Sequence, residues 1–154
     1  MPELLEATAL ATWLRHSTVA YPLLSAAHVM AVGCLFAMAA LMDLRLLGAL
    51  RRLPPPVVVE TLAPAAVWAF AAAVATGGLL FTVAAADYLS NPAFRWKLAA
   101  LALALSNVAM AHVGRAWARF RTRGESTARL KVHAMASLVV WAGIIVAGRF
   151  VGFV

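Results

Sequence analysis

The sequence predicts an all-α integral membrane protein: a four-helix bundle with both termini outside and a short N-terminal interfacial helix. Three observations carry this reading. Hydrophobic residues make up 64% of the chain and charged residues 12%, with a mean hydropathy of +0.88, whereas a soluble domain has about 25% charged residues. Long apolar stretches recur along the 154 residues, which hold about four crossings of ~20 residues each and leave no room for a separate soluble domain. Basic residues gather in alternate connections. The chain reads as one transmembrane domain, 1–154, with helices at about 21–42, 63–86, 96–117 and 132–150.

Before the first crossing, Leu4, Ala7, Leu10, Ala11, Trp13 and Leu14 recur at steps of three and four. This amphipathic pattern suits a short helix on the membrane surface, with Trp13 at headgroup level. The first fourteen residues include Glu3 and Glu6 but no Lys or Arg, so the basic start of a cleavable signal peptide is missing and the N-terminus is expected to be retained. The first crossing carries no formal charge from Tyr21 to Met42 and is expected to end at Asp43 and Arg45. Pro22 suits its first turn. Arg51, Arg52 and Pro54, Pro55 and Pro56 form a connection. The second crossing holds Thr76, Gly77 and Gly78, small enough for close helix contact. Asn91 is a predicted N-cap with Pro92 in the first helical position. The third helix then runs to Trp117, with Trp96 and Trp117 as interfacial belt residues at its two ends. Gly124 and Ser126 turn the chain into the fourth.

Orientation follows from the cations, because Lys and Arg are retained on the cytoplasmic side. Arg45, Arg51, Arg52, Arg115, Arg119, Arg121, Arg123, Arg129 and Lys131 lie in or beside the first and third connections, whereas Arg15, Arg95, Lys97 and Arg149 lie on the other side. Both termini are therefore expected outside. The net charge of +7 is a topology signal and an attraction to anionic headgroups, with no nucleic-acid partner implied. The lone cysteine, Cys34, cannot form an internal disulfide and leaves the redox compartment unread.

Ionisable groups inside apolar helices are costly and point to function. His28 falls in the outer half, with His16 in the interfacial segment before it, while His112 and His133 fall near the inner ends of the third and fourth helices. Two outer and two inner imidazoles match the axial ligands of two stacked b-type haems. Against this, the third and fourth helices are expected to be neighbours with axes ~8–10 Å apart, close for a haem between His112 and His133. A small metal ion fits there more easily. His16 is expected to be solvated, and the alternative for His112 and His133 is hydrogen bonding to backbone or headgroups. His28 is the leading ligand. Arg149 near the outer end of the fourth helix is a candidate contact for a haem propionate or a quinone oxygen, with snorkelling to water as its default role.

Met30, Cys34, Met38 and Met42 recur every four residues on the first helix. Soft sulfur ligands select Cu(I), so Met30, Cys34 and Met38 form an alternative copper path, against which stands ordinary core packing by methionine. Ser106, Asn107 and Ser137 are expected to bond between helices. No carboxylate pair, phosphate loop, CxxC or nucleophile triad is present, so hydrolase and nucleotide-binding readings lack support.

The segments SAAHVMAVGCLFAMAALMDLRLLG, ATGGLLF, DYLSNPAFRWKLAALALALSNVAMAH and WAGIIVAGRFVGF together resemble a family of small four-helix bacterial inner-membrane proteins over nearly the whole chain. Ala27-His28, Gly77-Gly78, and Lys97 with the Ala/Leu-rich run to Asn107 are more distantly similar to copper-resistance D-type membrane domains and cytochrome b561-like proteins. The resemblance implies a multi-pass inner-membrane protein with an intramembrane haem or metal. In b561-like proteins the axial histidines lie on non-adjacent helices, and this chain has none in its second helix. The lead expectation is a b-type haem subunit passing electrons between a quinone and an outer-side partner. The alternatives are a copper-handling membrane protein and a cofactor-free subunit packed against other membrane or periplasmic subunits.

Overall fold

The computed structural model describes residues 2–151, which are helical without strands. Two short helices come first, α1 (Pro2–Glu6) and α2 (Ala9–His16), followed by α3 (Ala20–Leu47), α4 (Ala63–Val83), α5 (Ala85–Ser90), α6 (Pro92–His112), α7 (Arg115–Arg123) and α8 (Ala128–Phe150). The two longest tracts are apolar on every side, as suits helices without a water-facing stripe. Three helical stretches, Ala20–Leu47, Val57–Val83 and Ala128–Phe150, are long and apolar enough to cross a membrane, and a fourth qualifies when α6 and α7 are taken together. Large apolar side chains point outward from all four, among them Met30, Val67, Trp68, Trp96 and Val139. A soluble monomer rarely exposes so much. These features are consistent with a multi-pass membrane protein.

The long helices associate in a defined order: α3 packs against α4 and α8, and α8 packs against α6. Their shared centre is built from Leu35 and Ala39 of α3, Ala66 of α4, Ala104 of α6, and Trp141 and Ile144 of α8. Alanine at three of these six sites lets the backbones approach, while Trp141 fills the space between them. A second cluster lies toward the other end, where Leu46, Val58, Leu62, Phe120, Leu130 and Ala134 meet.

Several boundaries differ from the sequence expectation. The first crossing continues past Met42 to Leu47, because Asp43-Leu44-Arg45 contains no breaker and the first residue able to end the helix in a left-handed turn is Gly48, at φ 95°. The Gly48 N–H reaches the Leu44 and Arg45 carbonyls, and Leu44 O also receives Ala49 and Leu50. Before α4 the chain passes through a π-helical turn, Val57–Leu62, and Pro64 supplies the reason. Its ring has no N–H and would press on the carbonyl four residues back, so the wider turn relieves the ladder there. The third helix ends at His112, not Trp117: Gly114 takes φ 94° and α7 departs with a bend of 67°. Trp117 therefore lies on α7, packed between His112 and Phe120, and is no belt residue at the end of α6. The single N-terminal helix expected from the sequence is two, separated at Thr8, whose hydroxyl caps α2 by accepting from Ala11.

Both described ends of the chain meet the same turn region. Glu6 accepts from the Ala86 N–H at 2.8 Å, Arg15 donates to the Val83 carbonyl, and the two pair with each other at 3.4 Å. Asn91 caps α6 through Ala93 and Phe94 and donates its amide to Val151 O at 3.2 Å. The stacked rings of Phe81, Tyr88 and Phe94 cover this end. Burial, with Tyr21 beside it, pushes the Tyr88 phenol up to about 12, so it stays protonated and the stack stays uncharged.

Candidate functional site

His28 sits on the third turn of α3, where it faces α4. Its Nδ1 is 3.0 Å from the Thr76 hydroxyl oxygen. That hydroxyl donates to Ala72 O at 2.7 Å within its own helix, which uses its one proton and leaves the oxygen as an acceptor. The Thr76 bond to Ala72 favours the tautomer with the hydrogen on Nδ1, and the ring also makes a hydrogen bond to the Ala73 backbone. Gly77 makes the approach possible: a Cβ there would stand 2.9 Å from His28 Cε1. Nothing lies within 4 Å of a Cβ at Gly78, so only the first glycine of the pair is used for close approach.

A cation completes this level. Lys97 of α6 lies within electrostatic reach of His28 and rests on Gly148 of α8, whose added Cβ would be 3.7 Å from Lys97 Cε and Nζ. Arg149 follows Gly148 on the last turn of α8 and is exposed. Four helices thus bring His28, Thr76, Lys97 and Arg149 to one end of the molecule. The sequence singles out His28 and Arg149 as site candidates, whereas Lys97 enters there only through topology and resemblance and Thr76 only as a small packing residue. The signal was available in Lys97, a cation followed by seventeen residues without another formal charge.

The other two helix-borne histidines make separate contacts near the opposite end. His133 Nδ1 bonds Asn107 Oδ1 at 2.8 Å while Asn107 Nδ2 donates to His133 O at 2.9 Å. This reciprocal pair ties α8 to α6. His112 is exposed, donates from Nδ1 to Val108 O at 2.8 Å and lies 4.2 Å, centroid to centroid, from Trp117. His16 likewise bonds Thr12 O of its own helix and is exposed. Fifteen residues separate His133 from Gly148 along α8, ~22 Å of helical rise, so the His28 level and the His133 level cannot share one ion.

Of the polar residues expected to bond between helices, Asn107 does so, whereas Ser106 is exposed and returns its hydroxyl to Ala102 O. Ser137 faces Asp43 across α3 and α8. Asp43, which the sequence marked only as a helix end, is buried with Oδ2 unpartnered. The sulfur stripe divides: Met30 and Cys34 are exposed, while Met38 and Met42 pack into the interior clusters. Among the described residues no three His, Cys, Asp or Glu side chains converge as a metal site. Comparison with protein-family models, curated proteins and solved structures finds no match to this chain.

Proposed function

We propose that this chain is a four-span protein of a bacterial inner membrane, both termini outside, that carries a b-type haem on His28 and moves electrons between a quinone and an outer-side partner. The observation that carries the proposal is the state of the His28 ring. Thr76 and Ala72 favour the tautomer with the proton on Nδ1, in which Nε2 would be the nitrogen that holds the iron. Two neighbouring cations would serve such a group. Lys97 stands at the same level and Arg149 follows its neighbour Gly148, two cations suited to propionates or a quinone oxygen. When bound, haem supplies one-electron cycling of its iron.

Each of the chain's own residues then has a defined part. Thr76 would orient the imidazole by holding Nδ1. Gly77 admits the ring against α4, and Gly148 gives Lys97 its place on α8. The proposal uses one haem, because His112 and His133 are turned to Trp117 and Asn107 and make no shared contact. Four spans and outside termini rest on the nine cations of the first and third connections against four elsewhere.

A second reading is a cofactor-free subunit of a larger membrane complex. It is favoured by one observation: all four histidines already satisfy Nδ1 within the chain. Iron analysis and haem extraction on protein purified from haem-replete cells separate the two. The haem reading expects near-stoichiometric haem in the wild type and its loss in His28→Ala, with His112→Ala unchanged. Haem-free, iron-free protein recovered only within a complex supports the second reading and removes the first.

A further inference from the structure

At the end of the molecule opposite His28, a cavity of about 280 Å³ is lined by Arg45, Leu46, Gly48, Arg51, Gly124, Ser126 and Lys131. Three of its side chains are cationic and none is acidic. We propose that this cavity binds a phosphate group, either on an anionic lipid headgroup or on a small soluble phosphate. The inference is independent of the haem reading and uses none of its residues.

The site is built into the fold. Arg45 is nine-tenths buried, fixed by a 2.6 Å hydrogen bond from Nε to Leu53 O and by the Phe120 ring 5.5 Å from its guanidinium carbon. No carboxylate pairs with it; the one salt bridge among the described residues joins Arg15 and Glu6 at the far end. A buried guanidinium without a counter-charge is costly, and an anion in the cavity supplies that charge. Its Nη2 lies beside Gly124, 3.5 Å from where a Cβ would stand, with Pro55 Cγ at 3.0 Å. Arg51 folds over Gly48 in the same way, with Nε 3.3 Å from an added Cβ. Both glycines are left-handed, at φ 95° and 70°, so each turn leaves room for a guanidinium that a side chain would occupy.

Ser126 is the independent observation. Its Oγ is buried and has no hydrogen-bond partner, an arrangement that asks for one. A phosphate oxygen answers it, since phosphate accepts from hydroxyl, guanidinium and ammonium donors together, and Arg binds it through two parallel N–H groups. Lys131 adds a point charge from the first turn of α8, where the helix dipole favours an anion. The cavity is near the lower end of small-ligand pockets, ~300 Å³, a size for a phosphoryl group and little more.

The test uses full-length protein in neutral detergent. One arm titrates inorganic phosphate by calorimetry; the other adds phosphatidylglycerol and reads bound lipid by native mass spectrometry. The double variant Arg51→Gln/Lys131→Gln removes two exposed cavity cations, and Arg52→Gln/Arg119→Gln removes two exposed cations that do not line it. The expected result is binding in at least one arm, weakened about tenfold or more by the cavity pair and less than threefold by the control pair. Ser126→Ala is expected to weaken it about threefold with the thermal transition unchanged. Binding in the phosphate arm assigns a soluble ligand, and binding in the lipid arm alone assigns a headgroup. No binding in either arm, or equal losses in both double variants, overturns the proposal.

Discussion

His28 is held at Nδ1 through two linked hydrogen bonds, one between Nδ1 and the Thr76 hydroxyl oxygen and one from that hydroxyl to Ala72 O. Replacing Thr76 by Val removes the acceptor while keeping the shape. Haem affinity is then expected to fall about tenfold, as for other outer-shell partners of a ligating histidine, read by haemin titration of the apoprotein. Gly77→Ala acts on the same ring by a steric route, since its Cβ would stand 2.9 Å from Cε1. It is expected to displace His28 and lose haem, whereas Gly78→Ala, with open space around it, retains it. The sequence alone marked His28 by its burial in an apolar run and Gly77 by its size. It could not show which of two adjacent glycines faces the ring, nor that Thr76 is the partner, because both depend on the rotation of α4 about its axis. Asn107 carries a different load. Its two bonds to His133 join α6 to α8, and Asn107→Ala is expected to cost about 1–2 kcal/mol, measured by unfolding in detergent.

Among the elements, α3 and α6 hold the main lessons. Asp43 and Arg45 look like a helix end when charge alone is read, yet both are buried on a helix that runs to Leu47. The legible stop signal was Gly48, the first glycine after Met42 and the residue whose positive φ the cap requires. Gly48→Ala is expected to destabilise the protein by about 1–2 kcal/mol through left-handed strain. Gly33→Ala, inside α3 with nothing within 4 Å of its new Cβ, is expected to be neutral or to gain up to ~1 kcal/mol from helix propensity. Thermal melts of the two variants side by side check this. The break between α6 and α7 was less visible, because Val113-Gly114 sits inside a stretch whose composition changes gradually from apolar to basic. Only the backbone shows that Gly114 turns the chain, after which Phe120 is buried beside Arg45. The π turn before α4 similarly follows from Pro64, which the sequence displays but whose consequence depends on how far back the helix extends.

For the molecule as a whole, apolar composition and cation placement were enough to read an all-helical chain with long apolar segments. The order of packing, with α3 between α4 and α8, was not, since every long helix is apolar on all sides and no stripe marks the buried face. The proposed topology puts Ser90 outside and Thr122 inside. With Cys34 replaced by Ser, a cysteine at 90 is expected to react with a membrane-impermeant maleimide in intact spheroplasts and one at 122 only after lysis; the reverse pattern inverts the chain. In the proposed topology the His28 level lies at the outer side and the cationic cavity at the inner. The haem proposal is met most directly by the absorption spectrum of the purified protein, oxidised and then reduced with dithionite. A Soret band is expected that shifts on reduction, with sharpened visible bands, and that is absent from His28→Ala protein of unchanged fold. A flat visible spectrum from haem-replete cells, or a Soret band that survives His28→Ala, contradicts it.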